Sequence, residues 1–423
     1  MKRTYHVLLF TITFALLCAC ASENDSTSDN DNNRDNTTLP MALGRRTIIA
    51  YVTADNNLSS TLSDDIAEMV AGSKDMPSDC RLIVFADING QKPYIAHLQN
   101  GELRKIKQYD NDFYTTSADS MRNVLQWIIN NFPSEEYAAI IEGHGSGPLI
   151  RKDTISTSLI KTYAYGYDAE GENSATSTPK WQNIPSMAAA FNSLKAANGS
   201  KIKMAYLFFD CCCFQSVEVA YELRHATEYI IAPVSETPAD GANYKHIMSA
   251  LCSPKDSVAK NIVSQYSQDC NLCISAVKTN GLEDLCKATK RILGSLYNSN
   301  SSPLTLDRYK CIYYYRGNET GVIRTPTLHD IKNIIKINAS QQAYDEWLPY
   351  LEKVVFARQL SKRWDTVMDI NFYSFDDCLS YDYYGGLSMI APTEVYTENG
   401  SDINTTMFQL EWCRDVGWKE FGW

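Results

Sequence analysis

Two short segments of this 423-residue chain carry residue types that can break an acyl bond. One reads Glu142-Gly143-His144-Gly145-Ser146-Gly147, a histidine set among glycines. The other reads Asp210-Cys211-Cys212-Cys213, three adjacent cysteines behind an aspartate. A thiol and an imidazole are the minimal nucleophile and base. The glycines let the backbone approach a substrate closely and leave amide N–H groups free to hold an oxyanion. Ser146 lacks the G-x-S-x-G surroundings of a serine-hydrolase nucleophile, and no H-E-x-x-H marks a zinc peptidase. Three adjacent side chains cannot all face one metal or one disulfide partner from an extended backbone, so the cysteine run calls for another explanation. Taken singly, neither segment carries the chemistry, and the histidine segment reads more readily as a turn with a solvent-exposed His.

Each segment follows an apolar run. Thr47 to Val52, Leu82 to Ala86, Ala138 to Ile141, Met204 to Phe209 and Tyr229 to Ala232 have the β-branched and aromatic content of buried strands. Between them lie helical patterns, Ser117 to Phe132 and Gln215 to His225, with apolar residues at three-and-four spacing. Alternation of strand and helix predicts an α/β fold, a mostly parallel sheet with helices on both faces and ligands at the carboxyl ends of its strands. His144 and a cysteine would meet at that edge. From about Ser253 to Lys310 the pattern turns helical. Beyond Cys311 it is tyrosine-rich, which suits a C-terminal subdomain packed on the sheet.

The chain carries 39 Lys and Arg against 50 Asp and Glu, a net charge of -11. That balance argues against a nucleic-acid partner held by phosphate contacts and permits basic substrates. Cys270 and Cys273 form a lone C-x-x-C without a second pair and read as structural, so no metal site is assigned. At the start, Lys2 and Arg3 precede the apolar run Val7 to Cys18, too short to span a bilayer, and then Leu17-Cys18-Ala19-Cys20. This order resembles a bacterial lipoprotein signal, with Cys20 the lipidated residue after the cut. Ala21 to Thr38 is polar and acidic and reads as a disordered tether. The expectation is an exported chain held to a bacterial membrane by its lipid, with the cell surface among the candidate faces.

Together the motifs resemble the clostripain-like cysteine peptidases of the caspase-like clan. The opening strand runs into Thr53-Ala54-Asp55-Asn56-Asn57-Leu58, the turn reads His144-Gly145-Ser146-Gly147, and the nucleophile segment reads Phe209-Asp210-Cys211-Cys212 followed by Ser216-Val217-Glu218-Val219-Ala220-Tyr221-Glu222-Leu223. Pro238-Ala239-Asp240-Gly241 and Gly386-Leu387-Ser388 continue the likeness. Pro148 and Cys213-Phe214 depart from the family pattern and bear on the shape of the cleft.

The resemblance implies a three-layer α/β/α sandwich and a Cys212–His144 dyad, with the N–H groups of Gly145 and Cys212 as the oxyanion hole. It implies that Asp210 and Asp240 form the floor of a pocket for Arg or Lys. Local alternatives are a helix cap for Asp210 and a turn for Asp240. It further implies self-cleavage between the His and Cys motifs, for which Lys161 is the expected site. Calcium stays open as a cofactor, although no D-x-D-x-D-G loop is present. The domain expectation is a signal peptide over residues 1–19, a lipidated Cys and tether over 20–42, and a peptidase domain over 43–423. Two other functions compete: a non-catalytic protein-binding lipoprotein of the same fold, and a Cys-dependent amidase or acyltransferase acting on a small molecule.

Overall fold

The computed structural model describes residues 42–150, 165–169, 180–270, 272–299, 304–306, 311–316, 326–361, 363–365, 372–374, 384–398 and 401–423. Cys20 and Lys161 lie outside them. Five parallel strands form the centre of a nine-stranded sheet: β1 (Gly44–Ala54), β2 (Cys80–Ile88), β5 (Ser134–Glu142), β8 (Leu207–Asp210) and β9 (Tyr229–Pro233), in the order β9-β8-β5-β1-β2. All five expected strands are present. β9 lies beside β8, as expected for consecutive elements.

Both edges of the sheet are antiparallel, which the sequence pattern did not disclose. A hairpin of β3 (Tyr94–Gln99) and β4 (Glu102–Gln108) extends it beyond β2. On the other side β10 (Ile274–Lys278) and β13 (Val355–Gln359) follow β9. β10 interrupts the stretch expected to be helical, between α6 (Val258–Cys270) and α7 (Leu282–Ser299).

The layers follow from the two-residue period of the strands. Along β1, Ile48, Ala50 and Val52 face α1 (Ser59–Gly72), α5 (Tyr244–Leu251) and α6. Ile49 and Tyr51 face the opposite core, which includes α2 (Ala118–Asn131), α3 (Ile184–Asn192), α4 (Val217–Glu222) and α7. Burial on both faces is why these strands read as unbroken apolar runs. This is the α/β/α sandwich expected from the sequence. α2 starts where the pattern placed it, because the Ser117 hydroxyl accepts the Ser120 N–H. α4 is shorter than expected, capped by Ser216, which accepts from Val219 N, and closed at Leu223.

A short pair, β6 (Tyr165–Asp168) and β7 (Lys180–Gln182), lies beside the end of β1. The C-terminal part forms its own antiparallel sheet of β11 (Tyr313–Arg316), β12 (Pro326–Asp330) and β16 (Ser388–Ile390). Between β12 and β16 come α8 (Ile331–Asn338), α9 (Gln341–Val354) and the paired strands β14 (Arg363–Asp365) and β15 (Phe372–Ser374). β16 is tied to the start of α4: Ser388 N donates to Gln215 O at 3.0 Å and Ile390 N to Glu218 Oε1 at 2.8 Å.

Candidate active site

The parallel register pairs Glu142, the last residue of β5, with Asp210, the last residue of β8. His144 and Cys212 each lie two residues beyond that rung. They leave the carboxyl edge of the sheet on adjacent strands, whose spacing is about 4.8 Å. Their two turns touch. Gly147 has φ +60°, and a Cβ there would stand 2.2 Å from the Cys213 carbonyl oxygen, so only glycine lets the histidine turn pack on the cysteine turn. Phe214 fills the space beneath, stacked on Phe209 with ring centroids 4.7 Å apart and edge-on to Tyr165.

His144 is half-buried, and burial lowers its pKa from the usual 6.5, so it is neutral at pH 7. One imidazole nitrogen, Nε2, lies 2.9 Å from Asn57 Oδ1. The amide oxygen only accepts, so Nε2 carries the hydrogen and Nδ1 is left as the basic nitrogen. Asn57 is presented by the turn after β1. There Asn56 accepts Leu58 N at 2.8 Å and donates to Thr53 O and Tyr167 O. Asn57 stood in the motif read from the sequence but was given no role; its signal was position, at the carboxyl end of the strand beside β5.

Of the three cysteines, only Cys212 reaches solvent. Cys211 is buried and donates to Ile141 O at 3.2 Å, while Cys213 is buried at φ +61° with its N–H on Ser235 O. This is the alternation anticipated for a run of three. Cys212 Sγ accepts from Thr237 N at 3.3 Å and lies 3.4 Å from Thr237 Oγ1. Burial, with the nearby charge of Glu236, pushes its thiol up to about 11. Within the described residues the thiol and the imidazole do not hydrogen-bond each other, so at neutral pH the site rests as a thiol and a neutral imidazole. Nor does the backbone N–H of Gly145 or of Cys212 find an acceptor among the described residues.

Asp210 points beneath this edge. Its carboxylate accepts Ala242 N at 2.7 Å and Tyr244 OH at 3.0 Å, with Tyr266 OH at 3.5 Å. Burial raises its pKa, opposed by these donors. Asp210 does not cap α4, since Ser216 does. It instead meets the loop after β9: a Cβ on Gly241, at φ +54°, would stand 2.6 Å from Asp210 Oδ2. Asp240, next to that glycine, is exposed.

Behind Asp210 lies a second acidic layer that sequence reasoning missed. Glu142 is fully buried near Asp65 of α1, and neither of its carboxylate oxygens has a hydrogen-bond partner among the described residues; burial first, then the charge of Asp65, pushes its pKa well up. Burial holds Asp65 at about 7, and the charges of Asp210, Glu68 and Asp240 also act on it.

Cys270 and Cys273 serve different backbone groups, Gly241 O and Ser361 O. No group of three or more His, Cys, Asp or Glu suited to a metal ion occurs among the described residues, and none of their helices is long and apolar enough to cross a membrane.

The profile of the Clostripain family matches residues 50–402. Clostripain of Hathewaya histolytica is 25% identical over 201 residues, 42% of this chain; the chain spans only 36% of that protein's length. A secreted C11 cysteine protease of Bacteroides thetaiotaomicron, solved with an irreversible peptide inhibitor, superposes with a TM-score of 0.68 at 22% identity, covering 89% of this chain and 99% of that one. An inactive zymogen C11 protease of Parabacteroides distasonis gives 0.68 at 19% identity, with the same coverage of both chains. At those identities the two structures speak for the fold.

Proposed function

Since the chain belongs to the clostripain family, we propose that it is a cysteine endopeptidase that cuts after Arg, and less well after Lys, with Cys212 as nucleophile and His144 as its base. One observation carries this reading. His144 and Cys212 extend from one rung of the sheet, beside two backbone N–H groups that find no acceptor among the described residues.

On that reading a peptide displaces Thr237 from the thiol, and His144 Nδ1 takes the Cys212 proton as sulfur attacks the scissile carbonyl. The N–H groups of Gly145 and Cys212 take up the oxyanion; losing one such donor typically costs ~100- to 1000-fold in rate. His144 then gives its proton to the leaving amine, and the amine departs. Water, deprotonated by the same nitrogen, releases the acyl group from sulfur. Asn57 holds the ring in the tautomer that both transfers need.

The choice of residue before the cut follows from the acids. A cation deep in a pocket must be paired, and a carboxylate can hold a guanidinium through two parallel hydrogen bonds. Asp210, with Asp240 at the rim and the Asp65–Glu142 pair behind, supports Arg over Lys, because only Arg has the planar fork. Self-cleavage at Lys161, lipidation at Cys20 and export to a membrane surface belong to the same reading and rest on the sequence. Protein and peptide substrates follow from the family.

Reporters ending in Arg, Lys, Asp and Leu amides test it with purified enzyme. Arg should be fastest. Asp240→Ala should slow cleavage of Arg reporters by ~0.2 to 1 kcal/mol, the scale of an exposed charge pair, and change little with Leu. An unchanged Arg-to-Leu ratio removes the acidic-pocket assignment. A folded enzyme whose Cys212 alkylates but which cuts none of the four would leave a binding role.

A further inference from the structure

On the far side of the molecule, at the amino end of β2, two thiols are held against each other. Cys80 opens β2 and Cys252 closes α5; both are reduced and buried, and each thiol is the leading influence on the other's hold on its proton. Their backbones are fixed independently. Arg45 Nη2 donates to Cys80 Sγ and to Cys252 O, both at 2.9 Å, while its Nε donates to Asp79 Oδ2 at 2.8 Å. The buried Arg46 donates to Leu251 O at 2.9 Å and Ser253 O at 2.8 Å, and to Glu136 Oε2. Two adjacent guanidinium groups thus clamp residues 251–253 over the start of β2. Nothing in the peptidase chemistry uses this arrangement.

We propose that Cys80 and Cys252 are a disulfide-forming pair, closed when the chain folds in an oxidising compartment. The Arg45 guanidinium, on Cys80 Sγ and Cys252 O at once, holds the two residues together, and the charges of Arg45 and Arg46 supply the reactivity. The Cys252 contact and the charges of Arg45 and Arg46 favour the Cys80 thiolate, whereas Cys252 is pushed the other way and stays protonated until it is needed. The oxidant is a small-molecule or protein disulfide. The Cys80 thiolate attacks one of its sulfurs, forming a mixed disulfide and expelling the other sulfur as a thiolate. Cys252 loses its proton and attacks Cys80 Sγ, expelling the oxidant's second sulfur, so that both of its sulfurs end as thiols. Two thiol hydrogens and two electrons leave the protein and one S–S bond is made. None of the other eight described cysteines is needed.

Refolding the full chain in a mixture of oxidised and reduced glutathione, quenching in acid, alkylating without reductant and mapping peptides by mass spectrometry tests this directly. The expected product is one linked pair of peptides, holding Cys80 and Cys252, 2 Da lighter than the two free peptides. The reduced and oxidised forms of the parent should differ in Tm by several degrees, and Cys80→Ser and Cys252→Ser should each abolish that difference. Full alkylation of both residues in the refolded, active parent would overturn the proposal. So would either residue linked to a different cysteine. Because the mapping uses the parent, it decides the matter even where a variant fails to fold.

Discussion

Alkylation of Cys212 as a function of pH separates a resting neutral pair from a resting ion pair. With the thiol near 11, the thiolate fraction at pH 7.5 is about 0.03%, against about 10% for a cysteine of ordinary pKa near 8.5. Iodoacetamide should therefore react with Cys212 roughly 300-fold more slowly than with an exposed cysteine. The rate should rise about tenfold per pH unit from 7 to 9 with no plateau. His144→Ala should leave this profile nearly unchanged while abolishing peptide cleavage, because a neutral imidazole lends the thiol no charge at rest. Glu236→Gln should move the profile toward lower pH, since its charge is the second cause of the raised thiol. A plateau between pH 5 and 8 that His144→Ala removes would refute the reasoning and establish a thiolate–imidazolium pair.

Two further outcomes follow from side chains outside the dyad. Asn57→Ala should lower kcat about 10- to 100-fold with KM little changed, because it frees the imidazole to adopt the wrong tautomer without touching the pocket; steady-state kinetics on an Arg reporter checks this. Asp87, buried beside Asp168, is pushed by burial up to about 9, and the one Thr115 hydroxyl touches both carboxylates. Since the unfolded chain loses that proton near pH 4, the protonated acid stabilises the fold fully below pH 4. The contribution fades as pH rises toward 9. Melting scans should show Tm falling from pH 5 to 9 in the parent and falling less in Asp87→Asn.

The parallel centre of the sheet was legible because burial on both faces leaves no polar residue to blur runs such as Ile48 to Val52. The edges were not. β4 is mostly exposed and charged, and β10 is five residues inside a region of helical spacing, so neither leaves a period to read. At the site, His144 and Cys212 were found because strand ends on one edge must converge, and the glycines announced a close approach. The Asp65–Glu142 pair could not be found that way, because the helix that brings Asp65 to β5 is placed by packing, which one-dimensional spacing does not encode. The hold of Thr237 on the nucleophile likewise depends on how the loop after β9 folds back.

The pairing of β5 with β8 has a consequence for a chain cut at Lys161. The break would put His144 and Cys212 on separate polypeptides that share the middle of one sheet, so the enzyme would become an obligate heterodimer with its seam through the hydrogen-bond ladder. Each half made alone would expose a buried apolar edge, β5 on one and β8 on the other, and would be prone to aggregate rather than wait for its partner. Cutting must then follow folding, and the halves stay together for as long as the sheet persists. A Cys80–Cys252 bond would run across the same seam, joining the half that carries the base to the half that carries the nucleophile. Under denaturing conditions without reductant the cut enzyme would migrate as one species, and with reductant as two.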